Sequence, residues 1–296
     1  GADAIIMHER TSFTENTVTL TAPVTSANII PPGEDVTAGT LLVPKGKILT
    51  ASDLALIAGQ GIAEIEVYKK LSIGLISTGS ELLDTGSPLE YGKIYNTNPY
   101  LLGGYIQKHH MTANYLNTVS DDLDSLCRAV LEALKTNDIV ITTGGVSAGD
   151  FDYMPEVIRR IGGDLLFHRL KFKPGGAMLG AFKDGKVILG LSGNPGAAAT
   201  GLLCVGFPFM RKLSGRSDIT FSQTTAFLGV DFKKSSPVTR ILKGHSDFKN
   251  GMLYFTPLSN QHNGSVSSMS DCDLLAVIPA GSKPLAAGDK LEVYIL

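Results

Sequence analysis

The chain has 296 residues, 43% of them hydrophobic, and a formal net charge of −2. This length predicts two or three domains, and a charge so near zero predicts no nucleic-acid or anionic-membrane partner. Because no run reaches the roughly 18 apolar residues of a membrane helix, we expect no membrane span, and we expect no signal peptide. Three scattered cysteines without C-x-x-C spacing argue against disulfides or structural zinc and favour a cytoplasmic location.

Residues 1–69 predict a small β-rich module. The chain enters an apolar run at 4–7 almost at once, so we expect it to begin within a strand and to lack a preceding segment. Residues 17–21 alternate as a half-buried strand does, and 41–49 have the pattern of a hairpin. A short helix is expected at 50–58, ended by glycines.

Residues 70–214 alternate between predicted strands and helices. Strands are expected at 73–77, 114–119, 139–141 and 187–191, with helices at 98–108, 121–135 and 196–212, the last kinked by Pro208. This order predicts a mostly parallel sheet with helices on both faces, a three-layer α/β/α domain, with a hairpin turn at 183–186.

Residues 215–296 predict a separate β domain. Short alternating runs recur at 224–227, 238–242, 252–255, 274–278 and 291–295. This spacing predicts a small β-barrel or sandwich of about eighty residues. The expected fold class is therefore α/β, with an N-terminal β-rich module and a C-terminal small β-barrel beside the central domain.

The predicted strand at 139–141 leads into a glycine-rich loop that ends in acids. Its residues are Gly144, Gly145, Val146, Ser147, Ala148, Gly149 and Asp150. Glycines allow positive φ and let backbone N–H groups approach an anion, as phosphate-binding loops do. The loop matches neither the dinucleotide fingerprint nor the P-loop, and a plain tight turn is the alternative. Asp152 is a candidate N-cap of the next helix.

Two more predicted strands run into loops of similar character. One leads to Thr78, Gly79, Ser80 and Glu81, and the other to Gly193, Asn194 and Pro195. Ligands of open α/β sheets bind at the carboxyl ends of the strands, so these loops should converge. Asp121 is expected to cap the helix at 121–135 unless a ligand reaches it.

The converging loops provide groups for phosphate and for a metal. Arg169, Lys171 and Lys173 form a basic loop, for which a solvated strand end is the alternative. Glu81, Asp150 and Asp152 could hold Mg²⁺, which one or two carboxylates and phosphate oxygens usually bind. These residues predict a phosphate-bearing small-molecule substrate with a metal, and leave phosphoryl, nucleotidyl and other transfer open.

Seven motifs spread over nearly the whole chain carry a family resemblance. They are Gly1-Ala2-Asp3-Ala4-Ile5, Pro32-Gly33-Glu34-Asp35, Ser77-Thr78-Gly79-Ser80-Glu81-Leu82, Ile94-Tyr95-Asn96-Thr97-Asn98, the stretch from Gly144 to Tyr153, Lys173-Pro174-Gly175 and Gly193-Asn194-Pro195. In this order they resemble the molybdopterin molybdenumtransferase family, which includes the C-terminal domain of gephyrin. The resemblance implies a molybdopterin-binding α/β domain, β-rich flanking domains and an elongated two-fold homodimer.

The resemblance also implies a reaction and a site. Molybdate would be transferred to adenylylated molybdopterin with release of AMP, in a Mg²⁺-dependent step. Glu81 and Asp152 match catalytic acids, Asp121 an acid at the pocket edge and Asp35 an acid of the preceding domain. The implied substrate-binding residues are Thr78, Gly79, Ser80, Asp121, Gly144, Gly145, Val146, Ser147, Gly149, Arg169, Lys173, Gly175, Gly193, Asn194 and Pro195, and the metal ligands are Glu81, Asp150 and Asp152. Other cofactor-assembly proteins or acceptor molybdoenzymes are the implied partners.

Four positions depart from the family pattern. Gly176 stands where the family has the second lysine of Lys-Pro-Gly-Lys-Pro, and Ser80 replaces an acid. Ser192 and Ala197 replace the first proline and the serine of Pro-Gly-Asn-Pro-Val-Ser. Since a charge-assisted bond contributes about 1.5 to 3 kcal/mol, we expect molybdate to bind weakly here and a restored lysine and hydroxyl to tighten it.

Two alternatives to the transferase remain open. One is a divergent paralogue that binds molybdopterin or another nucleotide as a carrier or assembly module. The other is an amidase-associated nucleotide-binding domain with the same sheet, which the β-rich flanks disfavour.

Overall fold

The computed structural model describes residues 2–26, 29–146 and 152–296. It divides the chain into two units, Gly1–Ile65 and Glu66–Leu296. In the part of the chain that is described, no helix is long and apolar enough to cross a membrane.

The first unit contains little regular structure. After a 3₁₀ turn at His8–Arg10, strands β1 (Thr11–Phe13) and β2 (Val18–Leu20) pair antiparallel. Helix α1 (Ala51–Gly59) begins with a capping box between Thr50 and Asp53.

Two strand predictions in the first unit are wrong. The hairpin expected at 41–49 does not form. The segment makes a turn at Pro44, and Leu41 on its flank is 75% exposed, so its side chain gains little burial that could stabilise a pair of strands. The run at 4–7 contributes one isolated bridge, between Ile5 and Thr25, instead of a strand.

The second unit contains a six-stranded central sheet in the order β6-β3-β7-β11-β10-β8. Four strands are parallel, and β10 is antiparallel to both of its neighbours. The strands of this region are β3 (Ser72–Ser77), β4 (Leu82–Leu83), β5 (Ile94–Tyr95), β6 (Thr112–Tyr115), β7 (Ile139–Thr143), β8 (Asp164–His168), β9 (Phe172–Lys173), β10 (Leu179–Lys183) and β11 (Lys186–Leu191). The helices are α2 (Asn98–Lys108), α3 (Leu123–Thr136), α4 (Met154–Arg160), α5 (Pro195–Gly201) and α6 (Phe207–Leu213).

Alternate side chains of the buried strands enter two different hydrophobic clusters. Ile139 and Ile141 pack with residues of α2, α5 and α6, whereas Val140 packs with residues of α3 and α4. Side chains on a strand alternate between its two faces, so apolar residues at every position require cover on both. A mixed α/β fold is therefore confirmed.

Three predicted boundaries of this region need correction. Helix α3 begins at Leu123 because Asp122, and not Asp121, accepts the N–H of Ser125 as its cap. Asp152 is not an N-cap either, since Tyr153 occupies that position before α4 and makes no side-chain cap bond. The strand expected at 114–119 is β6, which ends earlier, at Tyr115.

The helix predicted at 196–212 is interrupted before Pro208. A π-helical turn, Leu202–Gly206, separates α5 from α6, and the N–H of Phe207 donates five residues back to the carbonyl of Leu202. Pro208 has no N–H to donate to the residue four positions earlier, so the widened turn accommodates the missing bond.

A five-stranded barrel forms the end of the chain. Its strands are β12 (Gln223–Leu228), β13 (Thr239–Lys249), β14 (Met252–Pro257), β15 (Leu274–Ile278) and β16 (Lys290–Ile295), and helix α7 (Ser267–Ser270) lies in one connection. The strands pair in the order β14-β12-β16-β15-β13, and the pairing of β13 with β14 closes this sheet. The domain is therefore a barrel and not a sandwich. Strand β9 also pairs with β13 and joins the basic loop to the barrel.

His109, at the end of α2, is enclosed by aromatic rings and a guanidinium. Its ring centroid lies 4.4 Å from that of Phe207 and 5.3 Å from that of Phe221, and its Nδ1 lies 3.3 Å from Nη2 of Arg211. Burial, and then the charge of Arg211, lower the pKa of His109 from 6.5 to about 4. The neutral imidazole can therefore accept a hydrogen bond from Arg211.

This histidine should make the fold sensitive to acid. Between pH 6.5 and about 4 the unfolded state binds more protons than the folded state at this residue. The free energy of unfolding should thus decrease as the pH falls through this window, while above it the residue adds no pH dependence. Urea unfolding of the parent and of His109→Gln should show a shallower decrease in the variant. His245→Gln, which removes an exposed histidine, is the control. An equally shallow decrease in this variant would contradict the assignment of the acid sensitivity to His109.

Candidate functional site

The loops that follow β3, β7 and β11 meet at one edge of the sheet. Gly144 lies so close to Thr78 that a Cβ would come within 2.8 Å of its carbonyl oxygen, and a Cβ on Gly193 would lie 3.7 Å from Cα of Gly144. Gly144 and Gly145 both have positive φ, at 103° and 65°, which favours glycine. The structure thus brings the three predicted loops together.

The loop after β3 is held by Asp121. The backbone N–H of Ser80 donates to Oδ2 of Asp121 over 3.2 Å, so this carboxylate orders the loop instead of capping α3. Thr78 donates its N–H to the carbonyl of Thr143, 2.9 Å away, which ties the loop to β7. The exposed carboxylate of Glu81 lies against Gly79, where a Cβ would be 2.7 Å from Oε2.

Asp152 is a partly buried carboxylate beside two basic side chains. Its Oδ2 lies 3.3 Å from Nε2 of His168 and 3.6 Å from Nη2 of Arg169, and its side chain is 14% exposed. Its Oδ1 is buried without a hydrogen-bond partner among the described residues. Desolvation raises the pKa of Asp152, although both neighbours act in the opposite direction. The residue is therefore a perturbed acid, as functional carboxylates often are.

The segment that follows the basic loop contacts helix α5 at Gly175 and has no room for a side chain at Gly176. A Cβ on Gly176 would collide with the carbonyl oxygens of Leu170 and Phe172, and the carbonyl of Gly176 accepts the N–H of Leu170. A Cβ on Gly175, which has a φ of 93°, would lie 2.7 Å from the backbone N of Gly201. The expectation that a lysine can simply be restored at 176 is therefore wrong.

The first N–H groups of α5 already have partners. The carbonyl of Asn263, in a barrel loop, accepts from Gly196 over 2.7 Å and from Ala197 over 3.3 Å. Asn98 donates from Nδ2 to the carbonyl of Gly193 over 2.8 Å. The loop at 193–195 therefore lies at the site, but these two helix amides are not available to an anion.

Lys243 was missed from the sequence because it lies within a barrel strand. It is fully buried, and its ammonium donates to the carbonyl of His262 and to Oγ of Ser268. Its Nζ lies 3.1 Å from where a Cβ on Gly196 would be, next to the start of α5, and desolvation lowers its pKa. A lysine among apolar strand residues is the signal that could have revealed it.

His168 directly precedes the basic loop, and its pairing with Asp152 was missed from the sequence. Val146 is 1% exposed, so its side chain belongs to the core and its backbone alone remains for a ligand. Ser147, Gly149 and Asp150 lie outside the described residues. Within the described ranges, no group of three or more His, Cys, Asp or Glu residues is arranged to hold a metal ion.

Sequence comparisons identify the family. Residues 1–61 match the MoeA N-terminal region (domain I and II), 74–212 a probable molybdopterin binding domain, and 225–296 the MoeA C-terminal region (domain IV). The molybdopterin molybdenumtransferase of Staphylococcus aureus (strain MRSA252) is 36% identical over the whole chain, which covers 71% of that protein. The chain belongs to the molybdopterin molybdenumtransferase family. That of Bacillus subtilis (strain 168) is 35% identical, with 70% of its length covered.

Solved structures agree with this family. The molybdopterin biosynthesis MoeA protein from Pyrococcus horikosii has a TM-score of 0.83 at 26% identity, covering 99% of this chain and 72% of that chain. A molybdenum cofactor biosynthesis protein from Pyrococcus furiosus, at 22% identity and a TM-score of 0.68 over 89% of this chain and 82% of that chain, shares the fold. The predictions of a transferase and of a role in molybdenum cofactor biosynthesis are confirmed, and the carrier alternative is not favoured.

The packing around Gly176 predicts a large effect of substitution. Gly176→Ala should lower the free energy of unfolding by about 2 kcal/mol or more, because backbone carbonyls cannot rotate away from the added Cβ. Gly104→Ala is the matched control, since nothing lies within 4 Å of that position and alanine favours the helix. Urea unfolding of both variants measures the difference, and a Gly176→Ala protein as stable as the parent would refute the described packing.

Proposed function

We propose that the chain transfers molybdate to the dithiolene of adenylylated molybdopterin, with hydrolysis of the adenylate to AMP in a Mg²⁺-dependent step. One observation carries this proposal: the three strand-end loops meet beside a partly buried acid, Asp152, that contacts His168 and Arg169. The printed name of the curated relatives, molybdopterin molybdenumtransferase, supports it.

The chain's own residues would bind the phosphates and the pterin at the sheet edge. We assign the phosphates to backbone N–H groups of the loop at 144–149 and to the charges of Arg169 and Lys173, since cations and peptide nests both stabilise anions. Asp121 would keep the loop after β3 in position through Ser80. The other contacts we propose are Thr78, Gly79, Gly175, Gly193, Asn194 and Pro195.

We propose that carboxylate oxygens at this edge hold Mg²⁺. Asp152 Oδ1 is buried without a partner among the described residues, and such an atom is suited to a cation. Glu81 follows the neighbouring strand β3, and Asp150 would complete the set that we propose. When bound, Mg²⁺ would neutralise charge on the phosphate oxygens and orient them.

Asp152 would also hold a proton during the reaction. Its raised pKa and the 3.3 Å between its Oδ2 and Nε2 of His168 would allow the pair to accept a proton from water that attacks the adenylate phosphorus. As the new P–O bond forms, the bond from that phosphorus to the molybdopterin phosphate would break, which releases AMP and leaves the phosphate on molybdopterin. Arg169, 3.6 Å from the same oxygen, would favour the charged carboxylate once the water is in place.

We propose that molybdate binds weakly. A lysine is excluded at 176 by the surrounding backbone, and Ala197 offers no hydroxyl. Each charge-assisted bond contributes about 1.5 to 3 kcal/mol, so the loss of one weakens affinity on the order of tenfold to a hundredfold.

Several broader features remain part of this proposal. We propose a three-layer α/β/α central domain, supported by the two clusters on opposite faces of the sheet, and domains at 1–69, 70–214 and 215–296. We also propose a homodimer, contacts with other cofactor-assembly proteins or acceptor molybdoenzymes, and a cytoplasmic location, for which the three free cysteines are support.

Replacing either acid should abolish turnover. Asp152→Asn and Glu81→Gln should lower adenylate hydrolysis by roughly a hundredfold or more and leave ligand affinity within about tenfold, because these carboxylates act on the transition state more than on the bound ground state. Release of AMP with Mg²⁺ present measures turnover, and calorimetry measures affinity. Glu132→Gln, an exposed carboxylate of α3, is the control. Parental hydrolysis by either site variant would show that its assigned role is wrong.

The homodimer can be tested by mass. Light scattering at micromolar concentration should give twice the 31.3 kDa of one chain, because a two-fold contact would bury apolar residues that are exposed in the first unit. A mass of one chain would count against the proposed homodimer.

A further inference from the structure

A cavity lies at the end of helix α2 that is far from the sheet-edge site. The helix begins at the site, where Asn98 contacts Gly193, and its eleven residues span roughly 16 Å before it ends at Lys108. The cavity there has a volume of about 540 Å³, and α6, the segment at 217–223 and the end of β16 complete its wall. It is therefore distinct from the edge that carries the loops after β3, β7 and β11.

Arg211 lines this cavity as a buried cation. It is 5% exposed, and its guanidinium lies 4.2 Å above the ring of Phe221. It donates from Nη1 to the carbonyl of Thr220 over 2.7 Å, and Nη2 lies near His109. Among the described residues, the Nε of Arg211 is buried without a hydrogen-bond partner and the guanidinium forms no ion pair with a carboxylate. Burying such a charge unpaired is costly, so the arrangement favours an anion.

The rest of the lining carries one further cation, one side-chain carboxylate and several polar side chains. Lys108 supplies a second cation, and Gln223 and Ser222 supply polar side chains. The carboxylate of Asp218 also lines it but is paired with Arg216, whose Nε lies 2.8 Å away. The end of α2 does not oppose an anion strongly, because the N–H groups at 109, 110 and 111 already bond its last carbonyls.

We propose that this cavity is a second binding site, for a small molecule that carries a phosphate or carboxylate group. Arg211 would bind the group through its remaining donors, since a guanidinium fork matches the oxygen pair of either anion. Lys108 would supply the second charge from the cavity rim. The site is independent of the reaction proposed for the sheet edge.

Histidine-ring NMR at about pH 7 can test this site separately from the first. His109 contacts Arg211 and reports the cavity, whereas His168 contacts Asp152 and reports the sheet edge. His109 has a pKa of about 4, so its ring stays neutral and a shift on titration reports binding. Inorganic phosphate and succinate are the two probes, and His109→Gln assigns the signal.

We expect at least one anion to shift the His109 signal saturably, and the tighter probe identifies the preferred group. Lys108→Gln should weaken this binding about tenfold. Lys212→Gln, the same charge change at an exposed lysine of α6 that does not line the cavity, should leave it unchanged. The proposal is overturned if neither probe shifts His109 at millimolar concentration, if only His168 responds, or if the two lysine variants behave alike.

Discussion

The parallel register of three neighbouring strands is the constraint on which the site depends. Thr143 at the end of β7 is paired with Ser77 of β3 on one side and with Leu191 of β11 on the other. Hydrogen bonding across this ladder makes the strands end at one level, so their three loops must share one edge. A slip of one residue would turn Ile139, Val140 and Ile141 to the opposite faces of the sheet, and the glycine loops would no longer meet.

At this edge the balance between burial and neighbouring charge determines the proton affinity of Asp152. Two basic side chains lie within 4 Å of Oδ2, which in water would stabilise the carboxylate. Arg169 is half exposed, so solvent screens its charge, while Asp152 itself is largely removed from water. Desolvation therefore dominates, and the acid keeps an affinity for protons or cations that an exposed pair would lack.

The barrel restrains the site through two contacts. The pairing of β9 with β13 fixes the basic loop. The carbonyl of Asn263 accepts hydrogen bonds from the first backbone N–H groups of α5. Lys243, buried beside that helix start, holds the same barrel loop through His262 and Ser268. These bonds satisfy backbone amides at a helix end that would otherwise attract an anion.

The sequence by itself determined the local features: α2 has the bounds that the sequence predicted, and the loops after β3, β7 and β11 were recognised from glycines that follow buried strands. Only the tertiary structure decided which partners those residues meet. Asp121 was expected to cap α3 but bonds Ser80 instead, while Asp122 takes the cap, and residue spacing cannot distinguish these neighbouring acids. Pairing of Asp152 with His168, burial of Lys243 and exclusion of a side chain at Gly176 all depend on segments distant in sequence, whose approach is set by packing and not by local propensity.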